Sequence, residues 1–122
     1  MYSKISGMSK SPVEYLHHVL DEIAFLAREV ASHGEDRFMH DEVLQRASSR
    51  SLEIIGEAVK QVPEDIRAKY PRVEWKAFAG LRDRLIHHYF GVDYVIVWDI
   101  IVHELPQLSK ELSEILQKES SH

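Results

Sequence analysis

Ser11-Pro12-Val13-Glu14-Tyr15-Leu16-His17-His18-Val19-Leu20-Asp21-Glu22-Ile23-Ala24-Phe25-Leu26-Ala27-Arg28-Glu29-Val30 is the stretch on which the reading of the fold turns. Ser11, with Glu14 three residues on, forms a capping box, and Pro12 stands at the first helical position, where its missing N–H costs nothing. Val13, Leu16, Leu20, Ile23, Ala27 and Val30 then recur every three or four residues. That spacing predicts one apolar stripe of a helix, and Gly34 is its expected stop.

The same pattern continues outward along the chain. A second long helix is expected from about Asp36 or His40 to Val62, with Val43, Leu44, Ala47, Leu52, Ile54, Ile55, Ala58 and Val59 as apolar positions. Pro63 ends it and opens a short third helix that reaches Tyr70, and Pro71 closes that piece. A fourth helix is expected from roughly Glu74 to Tyr89, with Gly91 as its C-terminal cap. Asp93 then caps a fifth, whose first half, Tyr94 to Val102, is nearly all apolar or aromatic and so predicts burial on more than one side. Pro106 is expected to kink or break it before a last amphipathic stretch bearing Leu108, Leu112, Ile115 and Leu116. Nothing reads as a strand. The fold class is therefore all-α, an antiparallel up-and-down bundle of four to five helices with short turns. The expected layout is a flexible N-terminal segment over residues 1–10, the bundle over 11–117, and a polar tail over 118–122.

A chain of 122 residues with 44% hydrophobic and 29% charged content suits one soluble domain with a modest core. No apolar run approaches the ~20 residues of a membrane span, and Met1–Lys10 carries no signal-peptide core, so a cytoplasmic location is expected. With no cysteine, disulfides and thiolate metal sites are excluded. The net charge of −5 argues against nonspecific binding of duplex nucleic acid. Between residues 66 and 90, however, Arg67, Lys69, Arg72, Lys76, Arg82 and Arg84 face only Glu74 and Asp83. A local basic surface on an acidic protein suits a small, selective anion site.

Within that basic segment lies Arg82-Asp83-Arg84-Leu85-Ile86-His87-His88-Tyr89. At about 100° per residue, the helical stripe holds Trp75, Phe78, Ala79, Leu85, Ile86 and Tyr89, with Arg82 near its middle. A buried arginine needs a partner. Either a carboxylate such as Glu53 or Glu57 meets it, or the face opens onto a cleft or subunit interface that takes an anion. Asp83 and His87 stand four residues apart, the spacing of a shared helix face, so the carboxylate is placed to orient the imidazole. Histidine titrates near neutrality and suits acid–base work, while arginine binds phosphate oxygens in pairs and stabilises growing charge. Such a pair could cleave RNA through its own 2′-hydroxyl without a metal.

Arg82, His87 and Tyr89 match the R-x-x-x-x-H-x-Y signature of HEPN-domain proteins of the HepT type. Ile54-Ile55-Gly56-Glu57-Ala58, Phe90-Gly91-Val92-Asp93, and Trp98-Asp99 before Leu105-Pro106 agree with it. The chain resembles that family over roughly residues 11 to 116. Asp83 fits the usual Asn or Asp after the arginine, whereas His88 stands where relatives often carry glycine. The resemblance implies a HEPN-like bundle forming a homodimeric toxin, encoded with an MntA-type nucleotidyltransferase antitoxin. It implies a metal-independent endoribonuclease acting on RNA with no cofactor, using Arg82 and His87 with Asp83 in support. It further implies transfer of AMP to Tyr89 as the silencing step. Arg84 and Lys76 are candidates for guiding RNA.

Two rival readings keep the same residues. In one, the bundle is a non-catalytic accessory subunit of a nucleotidyltransferase, and Arg82 holds a nucleotide phosphate. In the other, Arg82 belongs to an internal ion pair in a structural dimerisation domain. The i, i+4 pairs His17/Asp21 and His18/Glu22 lack a third clustered ligand and read as solvated helix faces. Ser48, Ser49 and Ser51 match no nucleophile motif, and Trp75 and Trp98 read as core anchors.

Overall fold

The computed structural model describes residues 11–86 and 91–120, and within them the protein is all-α. Helix α1 spans Pro12–Leu26 and runs on through a π-helical turn, Ala27–Ala31. The capping box forms as the sequence predicts: the Ser11 side chain accepts the Glu14 N–H, and the Glu14 carboxylate accepts the Ser11 N–H. Leu16, Val19, Ile23, Leu26 and Val30 make the buried stripe, while Ala27 is exposed. Gly34, at φ 88°, turns the chain into α2, Glu35–Met39, in a left-handed conformation that favours glycine.

The second long helix comes in two pieces. α2 stops at His40, and Asp41 restarts the helix as α3, Glu42–Lys60, by accepting the Leu44 N–H at 3.0 Å. That bond, with help from Arg37, holds the Asp41 carboxyl below its ordinary range. The break leaves Val43 at the first turn, 79% exposed rather than in the core. α4, Glu64–Lys69, follows Pro63. Arg67 on α4 reaches back to the carbonyls of Val59, Lys60 and Val62 at 3.0–3.1 Å, satisfying acceptors that the end of α3 leaves open.

The expected fourth helix is also divided, into α5, Trp75–Ala79, and α6, Leu81–Leu85. Gly80 at φ −93°, ψ 17° makes the joint. Further on, Asp93 caps α7, Tyr94–Asp99, by accepting the N–H groups of Val95 and Ile96. A second π-helical turn, Ile100–Glu104, carries α7 into α8, Leu105–Ser120. Pro106 thus neither breaks nor ends the helix. It falls in the first turn of α8, just after the widened π turn, where the chain does without its N–H. α8 also runs through most of the residues expected as a polar tail, and Glu119 ties it to Lys69 and Tyr70 at the end of α4.

α1 packs against α3 and α8, and α5 and α6 lie on α3. Leu52, Ile55 and Val59 of α3 and Leu105, Leu108 and Leu112 of α8 belong to one core. In the apolar run after Asp93, Val97, Ile100 and Ile101 are buried and Trp98 packs on Phe38 with ring centres 5.5 Å apart, but Val95 is 64% exposed. Among the described residues no helix is long and apolar enough to cross a membrane.

Candidate functional site

The Gly80 joint sets the site. Trp75 and Phe78 face the core as expected, but beyond the joint the buried positions are Leu81 and Leu85. One residue of phase is enough to move Arg82 out of the stripe, and its side chain is exposed. The expectation of an arginine within the apolar face is therefore corrected: Leu81, fully buried, occupies that place. Among the described residues Arg82 has no ion pair, so the sealed Arg82–Glu53 or Arg82–Glu57 pair does not form.

Arg82 instead lines a cavity of about 290 Å³ with Arg50, Glu53, Gly56, Glu57 and Lys60. α3 supplies one wall and the α5–α6 joint the other. Gly56 permits the approach, because a Cβ there would lie 3.3 Å from the Phe78 carbonyl oxygen and 3.5 Å from the Leu81 Cβ. The lining carries three cations and two acids, and Arg50 leans on Glu53 at 3.4 Å. Both glutamates are thus in the cavity, yet neither is bonded to Arg82.

The helix expected to run to Tyr89 stops at Leu85. Ile86 is extended, at φ −89°, ψ 130°, and forms an isolated antiparallel bridge with Val92. The Asp93 N–H donates to the Leu85 carbonyl at 2.8 Å. Gly91, at φ 77°, serves this return rather than capping a helix. The shared helix face proposed for Asp83 and His87 requires two more helical residues than α6 has. Asp83 itself is exposed. His87 and Tyr89, with His88 and Phe90, lie outside the described residues.

The basic segment is less free than its sequence suggests. Arg67 is engaged with the α3 carbonyls, and Lys69 with Glu119 at 3.0 Å. Arg84, expected to guide RNA, forms a two-pronged pair with Glu104 at 2.9 and 2.7 Å, joining α6 to the π turn before α8. Hydrogen bonding to Glu104 raises its pKa further. Among the described residues this leaves Arg72, Lys76 and Arg82 with neither an ion pair nor a side-chain hydrogen-bond partner. Lys76 is exposed but lines a different cavity, with Glu64 and Arg67, and Arg84 lines a third with Arg72 and Glu104. The three candidate cations are therefore not gathered in one cleft. Among the described residues, only Arg82 combines the α3 cavity with a guanidinium lacking an ion pair just ahead of the Ile86–Val92 bridge. Sequence reasoning missed Arg50 and Lys60 as its companions, although their positions on the face of α3 beside Gly56 were legible from helical spacing.

Among the described residues no three His, Asp or Glu side chains cluster as metal ligands. Ser48 and Ser49 donate to the carbonyls of Leu44 and Gln45, and Ser51 to Glu22, so these buried hydroxyls satisfy the helix interior.

This all-α bundle, with an arginine exposed beside a cavity ahead of a short tied return, is a member of the HepT-like ribonuclease family: the family model matches residues 19–115. Among relatives, the chain is 53% identical over 110 residues to "Putative RNase TTE0752" of Caldanaerobacter subterraneus subsp. tengcongensis, covering 90% of this chain and 98% of that one. It is 33% identical over 108 residues to "Probable ribonuclease HepT" of Thermococcus cleftensis, covering 88% and 98%. No solved structure matches the chain.

Proposed function

We propose that this chain is a metal-independent endoribonuclease, the toxin of a two-gene toxin–antitoxin pair, working as a homodimer. The observation that carries the reading is Arg82: a guanidinium at a cavity mouth, without an ion pair among the described residues, five residues before the motif histidine. Family membership and the names of its relatives support RNA as substrate. In this reading the 2′-oxygen of a nucleotide attacks the adjacent phosphorus while His87 takes its proton. The bond from phosphorus to the 5′-oxygen breaks, and the leaving oxygen collects a proton from an imidazolium, His87 or its copy across the dimer. The products are a 2′,3′-cyclic phosphate and a 5′-hydroxyl. Arg82 holds the non-bridging oxygens as charge grows on them. Asp83 supports His87, and Lys76 guides RNA from outside the cavity.

The proposed control is chemical modification of Tyr89. An MntA-type nucleotidyltransferase would transfer AMP from ATP to the phenol oxygen, releasing pyrophosphate. The added phosphate would stand seven residues from Arg82 and compete with RNA for it. Purified chain, first shown by intact mass to be unmodified, is incubated with RNA and with DNA of the same sequence in excess chelator. Cyclic phosphate ends from RNA alone are expected. Intact RNA under those conditions sinks the reading, and nucleotide binding without cleavage would favour an accessory-subunit role.

A further inference from the structure

The outer face of α3 carries a second cavity that adjoins the first. Arg50 and Glu57 line both, and beyond them the second is built from Tyr15 and His18 of α1 with Ile54 of α3 and Gln61 at its C-terminal end. Arg50, Ile54, Glu57 and Gln61 are spaced by four, three and four residues, so they share one stripe of the helix. The stripe forms the floor of a trough between α1 on one side and the α5–α6 joint on the other. Arg82 stands at one edge and Tyr15 at the other.

Resting on the ribonuclease reading, we infer that this second cavity is a base subsite for single-stranded RNA, one that prefers guanine next to the phosphate held at Arg82. Its volume, about 260 Å³, falls just below the usual range of ligand pockets and suits a single base rather than a helix. Single-stranded RNA is read by stacking unpaired bases on aromatic rings and bonding their Watson–Crick edges. Tyr15, half-buried against the core, supplies a ring whose position is held by packing. Ile54 supplies an apolar floor. Arg50, shared by the two cavities, is placed for the intervening phosphate.

Glu57 makes the subsite selective. An ionised carboxylate only accepts hydrogen bonds. Guanine presents two adjacent donors on its pairing edge, N1–H and the N2 amino group, which match the two carboxylate oxygens. Cytosine and adenine each offer one amino donor beside an acceptor. Uracil offers a single donor, N3–H, flanked by two carbonyl oxygens that the carboxylate repels, and is disfavoured. Gln61, one turn further on at the C-terminal end of α3, bonds the remaining edge.

The test measures binding of short 2′-O-methyl oligonucleotides, which cannot be cleaved by 2′-oxygen attack, to the full chain. Wild type is expected to bind a guanine-containing oligomer about tenfold more tightly than its uracil counterpart, the discrimination of one good bidentate contact. Glu57→Gln should reduce that preference to within about twofold, while Tyr15→Ala should weaken all oligomers by about tenfold, as loss of a stacking ring does. Circular dichroism confirms that both variants are folded, and Tyr15→Phe, which keeps the ring, should bind as wild type does. Equal affinity for the two oligomers, or a preference untouched by Glu57→Gln, overturns the inference. A guanine preference in a protein that leaves natural RNA intact upholds the subsite and removes the ribonuclease reading instead.

Discussion

The backbone N–H of Asp93 donates to the carbonyl of Leu85 across 2.8 Å, so the last residue of α6 is joined directly to the cap of α7. One residue thus both closes the return from the motif segment and starts the next helix. Asp93→Ala removes the side-chain cap on Val95 and Ile96 and should cost about 1 kcal/mol of stability. RNA cleavage should fall by more than that loss explains, because the motif segment is anchored there. Asp93→Asn keeps an acceptor and should restore most of both. Urea unfolding alongside a cleavage assay measures the two effects, and a proportional loss would show that the cap has no role beyond stability.

Arg82 is exposed, so its removal is a test of chemistry rather than of folding. Arg82→Ala should abolish growth inhibition while shifting stability by no more than about 0.5 kcal/mol. His87→Ala should likewise abolish growth inhibition. Arg82→Lys keeps charge but loses the paired contact and should remain strongly impaired. Full toxicity in Arg82→Ala would falsify the assignment of the phosphate clamp.

Gly56→Ala sets two effects against each other. Alanine favours the helix by about 1 kcal/mol, but its Cβ presses on the Phe78 carbonyl at 3.3 Å. Overpacking of this kind costs about 1–3 kcal/mol, so a net loss near 1 kcal/mol is expected. Because the pressed backbone carries the Gly80 joint, cleavage should drop as well. A rise in melting temperature with unchanged activity would show the seat to be slack.

Arg84→Ala breaks the pair with Glu104 and should lower stability by about 1 kcal/mol, since both side chains are about one-third exposed. Arg84→Lys should recover only part of this, lacking the two-pronged geometry. RNA affinity should change less than in Arg82→Ala. The reverse order, measured by filter binding, would return Arg84 to the RNA surface.

Alkaline pH should loosen the junction of α4 with α8. Hydrogen bonding to Glu119 raises the pKa of Lys69 above 10.5 and that of Tyr70 above 10.0. In both groups the folded state favours the protonated form. Their contribution is therefore complete below the ordinary values and is lost as pH rises through the raised ones. Melting temperature followed from pH ~8 to ~11.5 should fall more steeply in wild type than in Glu119→Gln. Parallel curves would remove Glu119 as the source.

Local order was written into the chain. The Ser11 box, the Gly34 turn, the Pro63 stop and the Asp93 cap each act over four residues or fewer. Short-range backbone chemistry of that kind needs no knowledge of the rest of the molecule. The all-α class follows from it, whereas the candidacy of Arg82 came from its spacing to His87 and Tyr89. What only the tertiary structure decided was the facing of that arginine and the freedom of its neighbours. A joint at Gly80 moved the core position to Leu81, and a helix that stops at Leu85 separated Asp83 from the face expected for His87. Lys69 and Arg84 met partners fifty and twenty residues away. Periodicity assumes an unbroken helix, and ion pairing depends on the path of the whole chain, so neither outcome could be read one segment at a time.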